Sequence, residues 1–213
     1  MPSEWLRQRK KDQYHRLAKT RGFRSRASFK LLQITRRYRF IKVGQRVLDL
    51  GAAPGGWLQA ARQAVGETGF VLGVDKQTIA PLANRNVVTI VGDIAQPGVV
   101  GEIKDKAGRS FDVVLSDLAP NVSGVWEVDQ ARQIELARCA VRVGCQLLRP
   151  SGNMLVKVFQ GSETKDFQRE MRGLFREFRI VKPPASRPES AELYFLGLGF
   201  LSDRPEAVNN RLD

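Results

Sequence analysis

From Arg46 onward, short apolar runs alternate with amphipathic ones, and few folds accommodate that pattern. Apolar runs at residues 46–51, 70–76, 87–93, 111–117, 153–159, 178–183 and 192–200 predict seven strands. Helical patterns fill the gaps at 54–65, 98–107, 127–148 and 163–175, the third stopped by Pro150 and Gly152. Strands that read as unbroken apolar runs are buried on both faces, which predicts an α/β fold with a mostly parallel, seven-stranded sheet flanked by helices. The 213 residues suit one domain with one sizeable core.

Sheets of this kind bind ligands beyond the carboxyl ends of their strands. The first strand closes on Asp49-Leu50-Gly51, and the next three close on Asp75, Asp93 and Asp117. A single carboxylate at a strand end is ordinarily a cap or a turn residue. Four of them, with a glycine loop after the first strand, point to a ligand site. The loop "GAAPGGW" (51–57) does not fit Gly-x-Gly-x-x-Gly, and it lacks the Lys-Ser/Thr of a phosphate loop. Acid lining suits a ligand with hydroxyls and positive charge, and Asp75 is placed to accept from a ribose diol. S-adenosylmethionine has those features. Pro54 is expected to open the helix after the loop.

The fifth strand, "NMLVKVF" (153–159), carries Lys157 among Met154, Leu155, Val156, Val158 and Phe159. Burying an unpaired ammonium costs several kcal/mol or drives off its proton. Lys157 is therefore a candidate functional amine near the open end of its strand.

Charge is distributed unevenly. Residues 1–46 hold 15 of the 35 Lys and Arg but two of the 22 Asp and Glu, which leaves 20 of each sign in the remainder. The whole net charge of +13 thus belongs to the N-terminal fifth. Trp5, Leu6, Tyr14, Leu17, Phe23, Phe29, Leu31 and Ile34 are interleaved with these cations. Such a segment can pack one face and offer the other to phosphates, which favours nucleic acid over a membrane. We therefore divide the single domain into a basic, helical, nucleic-acid-binding extension (1–46) and a core (47–201). Arg7, Arg9, Lys10 and Lys11 are its first cations.

Cys139 and Cys145 lie six residues apart in a helical pattern, pointing about 120° from each other. Together with a lone His15 they make no zinc site, and they read as reduced core residues. The N-terminus lacks the apolar segment of a secretory signal, and the longest apolar run, 193–201, is about half a membrane span. A cytoplasmic location is expected, with no membrane partner.

Five motifs, "SRASFKL" (25–31), "DLGAAPGGW" (49–57), "SDLAPNVSG" (116–124), "LVKVFQG" (155–161) and "SRPESAELYFLGLGF" (186–200), resemble the FtsJ/RrmJ family in order and over about residues 3–201. That resemblance implies a Rossmann-like methyltransferase fold and S-adenosylmethionine-dependent methylation of RNA ribose 2′-hydroxyls. It implies a catalytic tetrad of Lys30, Asp117, Lys157 and Glu192. It also implies a cofactor site including Gly55, Trp57, Asp75, Asp93 and Asp117, with no metal. The compact length is most similar to bacterial-type members that methylate a uridine of large-subunit ribosomal RNA. A monomer acting on RNA and not DNA is expected. Within the resemblance, Lys157 is the expected base, because burial and a neighbouring Lys30 both depress a lysine pKa, whereas Asp117 and Glu192 oppose that shift.

Other activities leave marks that are missing here. Ring-carbon methylation needs a strand-end cysteine, and both cysteines fall in a helix. Base-amine methylation uses Asn/Asp-Pro-Pro-aromatic where this chain has "DLAPN". A tRNA anticodon loop or an mRNA cap remains as an alternative substrate. A non-catalytic RNA-binding assembly factor remains as an alternative class.

Overall fold

The computed structural model describes residues 13–187 and 189–202. Trp5, Leu6, Arg7, Arg9, Lys10 and Lys11 of the basic segment lie outside the described residues. Helices α1 (Gln13–Thr20) and α2 (Ala27–Tyr38) precede β1 (Arg46–Leu50). Then follow α3 (Gly56–Val65), β2 (Phe70–Asp75), β3 (Val87–Val91), α4 (Val99–Ala107) and β4 (Phe111–Ser116). The chain ends with α5 (Trp126–Leu147), β5 (Leu148–Phe159), α6 (Thr164–Leu174), β6 (Phe175–Val181) and β7 (Glu192–Phe200).

The seven strands form one sheet in the order β3-β2-β1-β4-β5-β7-β6. All neighbours are parallel except at β7, which inserts antiparallel between β5 and β6. The order reverses between β1 and β4, the switch point where an open sheet leaves a crevice for ligand.

Alternation along the strands sorts the core into two layers. Leu48, Val114, Val156 and Phe195 pack on one face beneath α4, α5 and α6. Val47, Leu115, Leu155 and Leu196 pack on the other with Leu31 and Ile34 of α2 and Trp57, Leu58 and Ala61 of α3. Side chains two residues apart share a face. Lys157 therefore follows Leu155 to the α2 side, and Glu192 and Tyr194 precede Leu196 on that side. Helix α2 carries Lys30 to the same face.

Several boundaries differ from the sequence expectation; β6, for one, spans Phe175–Val181 instead of 178–183. Helix α3 begins at Gly56, with Gly55 as its cap at φ 104°, so Pro54 precedes the helix instead of opening it. Strand β5 begins at Leu148, directly after α5, because Leu148 is already extended. Its register against β4 then slips between the Phe111 and Val113 partners. None of the described helices is long and apolar enough to cross a membrane.

Candidate active site

Three strands and one helix bring the four expected residues together. Lys157 and Tyr194 are cross-strand partners, as are Phe159 and Glu192. Asp117 follows the last residue of β4. The Lys157 amine donates to the Asp117 carbonyl at 2.8 Å and lies 3.3 Å from Asp117 Oδ1. It also lies 3.9 Å from Glu192 Oε1. The Lys30 amine donates to the other Glu192 oxygen, Oε2, at 2.6 Å. Lys157 is only 4% exposed and Lys30 only 8%, so the two amines and two carboxylates form a compact group mostly removed from water.

Burial acts on each acid according to its company. It pushes the Glu192 carboxyl up, but Lys30 and Lys157, with hydrogen bonds from Lys30 and Ser190, hold it below its ordinary value. Tyr194 was not singled out in the sequence. Its hydroxyl donates to Asp117 Oδ1 at 2.9 Å, and burial followed by the Asp117 and Glu192 charges pushes its phenol well up. A phenol so disfavoured as an anion stays a donor to Asp117. Its sequence signal was parity: Tyr194 stands two residues from Glu192 on one strand and so shares its face.

Next to this group is a cleft of about 400 Å³ lined by Gly51, Asp75, Asp93, Asp117 and Pro120 among others. The expected acids at the ends of β2, β3 and β4 thus meet in one cavity. Asp75 also holds the loop in shape, because it accepts from the Ala53 and Gln77 amides at 2.9 and 2.8 Å. Asp93 accepts from the Ala95 amide and pairs with Lys76 at 2.9 Å. The Ala95 amide, against a smaller effect of burial and with help from Lys76, holds the Asp93 carboxyl low. It is therefore ready to accept hydrogen bonds.

The fourth strand-end acid, Asp49, is buried, and neither of its oxygens has a hydrogen-bond partner among the described residues. Burial, and then the charges of Asp117 and Asp75, push its carboxyl well up. The cleft is lined by Asp75, Asp93 and Asp117 against the single cation Lys76, and this excess of acid fits a positively charged guest with hydroxyls. S-adenosylmethionine answers to this description through its sulfonium, ammonium and ribose.

Two expected cofactor contacts fall outside the cleft lining. Trp57 is buried on α3, its indole N–H donates to the Ala27 carbonyl at 2.8 Å, and its ring packs 5.8 Å from that of Tyr194. It ties α2 to α3 and backs the tetrad. Gly55 sits under Arg24, where a Cβ would come 2.7 Å from the Arg24 Nη1. The glycine of this loop that does line the cleft is Gly51, at φ 81°, where a Cβ would collide with Leu118. Both cysteines are free thiols on α5, and burial pushes Cys145 up to about 12, far from nucleophilic use.

A cation-accepting cleft that opens onto a buried amine is what transfer of a methyl group from a sulfonium needs. The fold and the site thus define a methyltransferase of the doubly wound α/β class. Comparison with known proteins narrows this further: residues 23–200 match the model of the FtsJ-like methyltransferases, and the chain belongs to that family. A protein of Methanothrix thermoacetophila named ribosomal RNA large subunit methyltransferase E is 50% identical over 192 residues, covering 90% of this chain and 74% of the relative. The protein of that name from Methanococcus aeolicus is 47% identical over 200 residues, covering 94% and 74%. Among solved structures, a candidate ribosomal RNA methyltransferase of Plasmodium falciparum superposes with a TM-score of 0.75 at 27% identity, covering 84% of this chain and 99% of that one.

Proposed function

We propose that this protein methylates a ribose 2′-hydroxyl in large-subunit ribosomal RNA, at a uridine, with S-adenosylmethionine as donor. The observation that carries the reading is the position of Lys157 between Asp117 and Glu192, which line different cavities. On one side it contacts Asp117, which lines the acid cleft; on the other it faces Glu192, which lines two further cavities. A hydroxyl placed between Lys157 and Glu192 has the cleft within reach. The name shared by the archaeal relatives supports large-subunit ribosomal RNA as the substrate.

The cofactor supplies an electrophilic methyl on a sulfonium. The chain supplies the rest. Asp75, Asp93 and Asp117 would hold that cofactor, which would supply the methyl group to the 2′-oxygen, and Lys157, as an unprotonated amine, takes the proton that the 2′-hydroxyl loses. The Asp117 carbonyl and carboxylate fix that amine in position. Glu192, held by Lys30, accepts from the ribose and orients it. Holding the two reactants in line supplies much of the rate. A site built around a 2′-hydroxyl excludes DNA. Residues 1–46 supply a basic surface for the RNA backbone, and the enzyme works as a monomer in the cytoplasm.

The test has two parts. Lys157→Ala is expected to lower turnover by about 100-fold or more while cofactor affinity is kept, the size of a general-base contribution. Near-normal turnover would remove Lys157 from that role. Mapping 2′-O-methyl marks in total RNA, with and without the protein, is expected to reveal one missing mark in the large subunit. A missing mark in tRNA would overturn the ribosomal assignment.

A further inference from the structure

Seven large apolar side chains are exposed among the described residues, and four of them, Val122, Val125, Trp126 and Val128, fall within seven consecutive positions. Exposed apolar side chains gathered in one place mark a contact surface. This one lies at the active site. A cavity of about 260 Å³ is lined by Val122, Trp126 and Phe159, together with Asp129, Ser190, Ala191 and Glu192.

The aromatic wall is preorganised. The Trp126 ring stacks on Phe159 at 6.0 Å with 19° between planes, yet the residue remains 46% exposed. The segment before it is clamped by Asp129, which accepts from the Ser123 amide and hydroxyl at 2.7 Å and from the Gly124 amide at 3.1 Å. Phe159 is itself the cross-strand partner of Glu192.

Ser190 and Glu192 also line a second cavity, whose other residues include Arg26, Lys30 and Arg187. Its charged lining, Arg26, Lys30 and Arg187 against Glu189 and Glu192, carries a net positive charge, so this cavity favours an anion. Glu192 therefore stands between an aromatic, apolar cavity and a cationic one. That is the order of parts in a nucleotide: base, ribose, phosphate.

Building on the ribose-methylation reading, we propose that Trp126, backed by Phe159, is the platform on which the base of the target nucleotide stacks, with its phosphate toward Arg26 and Arg187. The target base is accordingly unpaired when the ribose reaches Lys157. Trp126 is a positioning residue for the RNA and contacts neither the donor nor the transferred methyl. Stacking on an aromatic face is tolerant of base identity, so the platform selects an unstacked nucleotide more than a particular base.

The test uses the full-length protein and a ribosomal RNA fragment that the wild type methylates. Trp126→Ala is expected to raise KM for the RNA by about 10- to 100-fold, the range of a lost base stack. Trp126→Phe is expected to restore most of the loss, with S-adenosylmethionine affinity and melting temperature unchanged in both. Replacing the target nucleotide by an abasic ribose, which keeps the 2′-hydroxyl, is expected to cost the wild type the same factor and to cost Trp126→Ala almost nothing more. Arg187→Gln is expected to lower the slope of log affinity against log salt by about one, whereas Trp126→Ala leaves that slope alone. Equal KM for wild type and Trp126→Ala, or independent losses from the variant and the abasic site, would overturn the platform while leaving ribose methylation intact. Unchanged RNA kinetics with loss of a dimer in sedimentation would assign the patch to a second copy of the chain and likewise overturn it. A wild type that leaves every such RNA unmethylated would strike the ribose-methylation reading itself, and the platform with it.

Discussion

Lys157 and Tyr194 face each other across β5 and β7, and both reach Asp117: the lysine through its carbonyl and Oδ1, the tyrosine through Oδ1 alone. The carboxylate that lines the acid cleft is thus held from the sheet by two neighbouring side chains. Antiparallel insertion of β7 makes this possible, because it sets the end of β5 beside the beginning of β7.

Tyr194→Phe separates packing from hydrogen bonding. The ring can keep its contact with Trp57 while Asp117 loses one donor. A stability loss of about 1 kcal/mol is expected, typical of one buried hydrogen bond. Turnover is expected to fall several-fold with KM for the RNA little changed, because Asp117 then positions Lys157 less firmly. Urea unfolding and steady-state kinetics read the two effects separately.

Part of this site was legible in the sequence, and the rest fails for identifiable reasons. Lys157 and the strand-end acids show because a charge that interrupts or ends an apolar run needs a reason. Lys30 sits in a basic stretch and Glu192 at a strand start, so only the resemblance separates them from ordinary surface charges. Tyr194 reads as one more core aromatic. Its hydroxyl acquires a role only through the β5–β7 pairing, which no local periodicity encodes. Trp57 misled in the opposite direction: its place beside the glycine loop suggests a ligand contact, but its ring points between α2 and α3. Arg26 and Arg187 meet only because the loop before β7 folds back over α2, where Arg26 Nη2 donates to the Ala185 carbonyl.

Glu192 ties folding stability to acid pH. Its folded carboxyl lies below its ordinary value, burial being outweighed by Lys30 and Lys157. The unfolded chain therefore takes up a proton first as pH falls. The stability that Glu192 contributes is complete above about pH 4.5 and is lost as pH drops through the folded value. Glu192→Gln is expected to flatten the melting-temperature curve on that acid limb. Thermal melts from pH 3 to pH 7 check the sign.

Asp49 works in the other direction. Its folded carboxyl lies well above its ordinary value, so between that value and the folded one the native state binds a proton that the unfolded chain releases. Stability contributed here falls as pH rises through that window. Asp49→Asn is expected to reduce the loss of melting temperature between pH 5 and pH 8 in the cofactor-free protein. The same change removes a potential negative charge near the cleft, so S-adenosylmethionine affinity, read by calorimetry, is expected to weaken. Unchanged affinity would confine Asp49 to a folding role.

Gly56 controls the placement of Lys30 from a distance. It opens α3 where α2 crosses, and a Cβ there would fall 2.1 Å from the Ser25 hydroxyl oxygen and 2.9 Å from that of Ser28. Ser28 is itself fixed, its hydroxyl hydrogen-bonding the Gly56 carbonyl at 2.8 Å, and Lys30 lies two residues further along α2. Gly56→Ala is therefore expected to displace Ser25 and Ser28, and with them the start of α2. Overpacking of this kind costs about 1–3 kcal/mol. The shift also pulls Lys30 from its 2.6 Å contact with Glu192, so turnover is expected to fall more than stability alone explains. Cofactor affinity is expected to hold, because Gly56 does not line the cleft. Measuring kcat well below the variant's melting temperature distinguishes a displaced Lys30 from a partly unfolded enzyme, and a wild-type kcat there would break the link between helix packing and the tetrad.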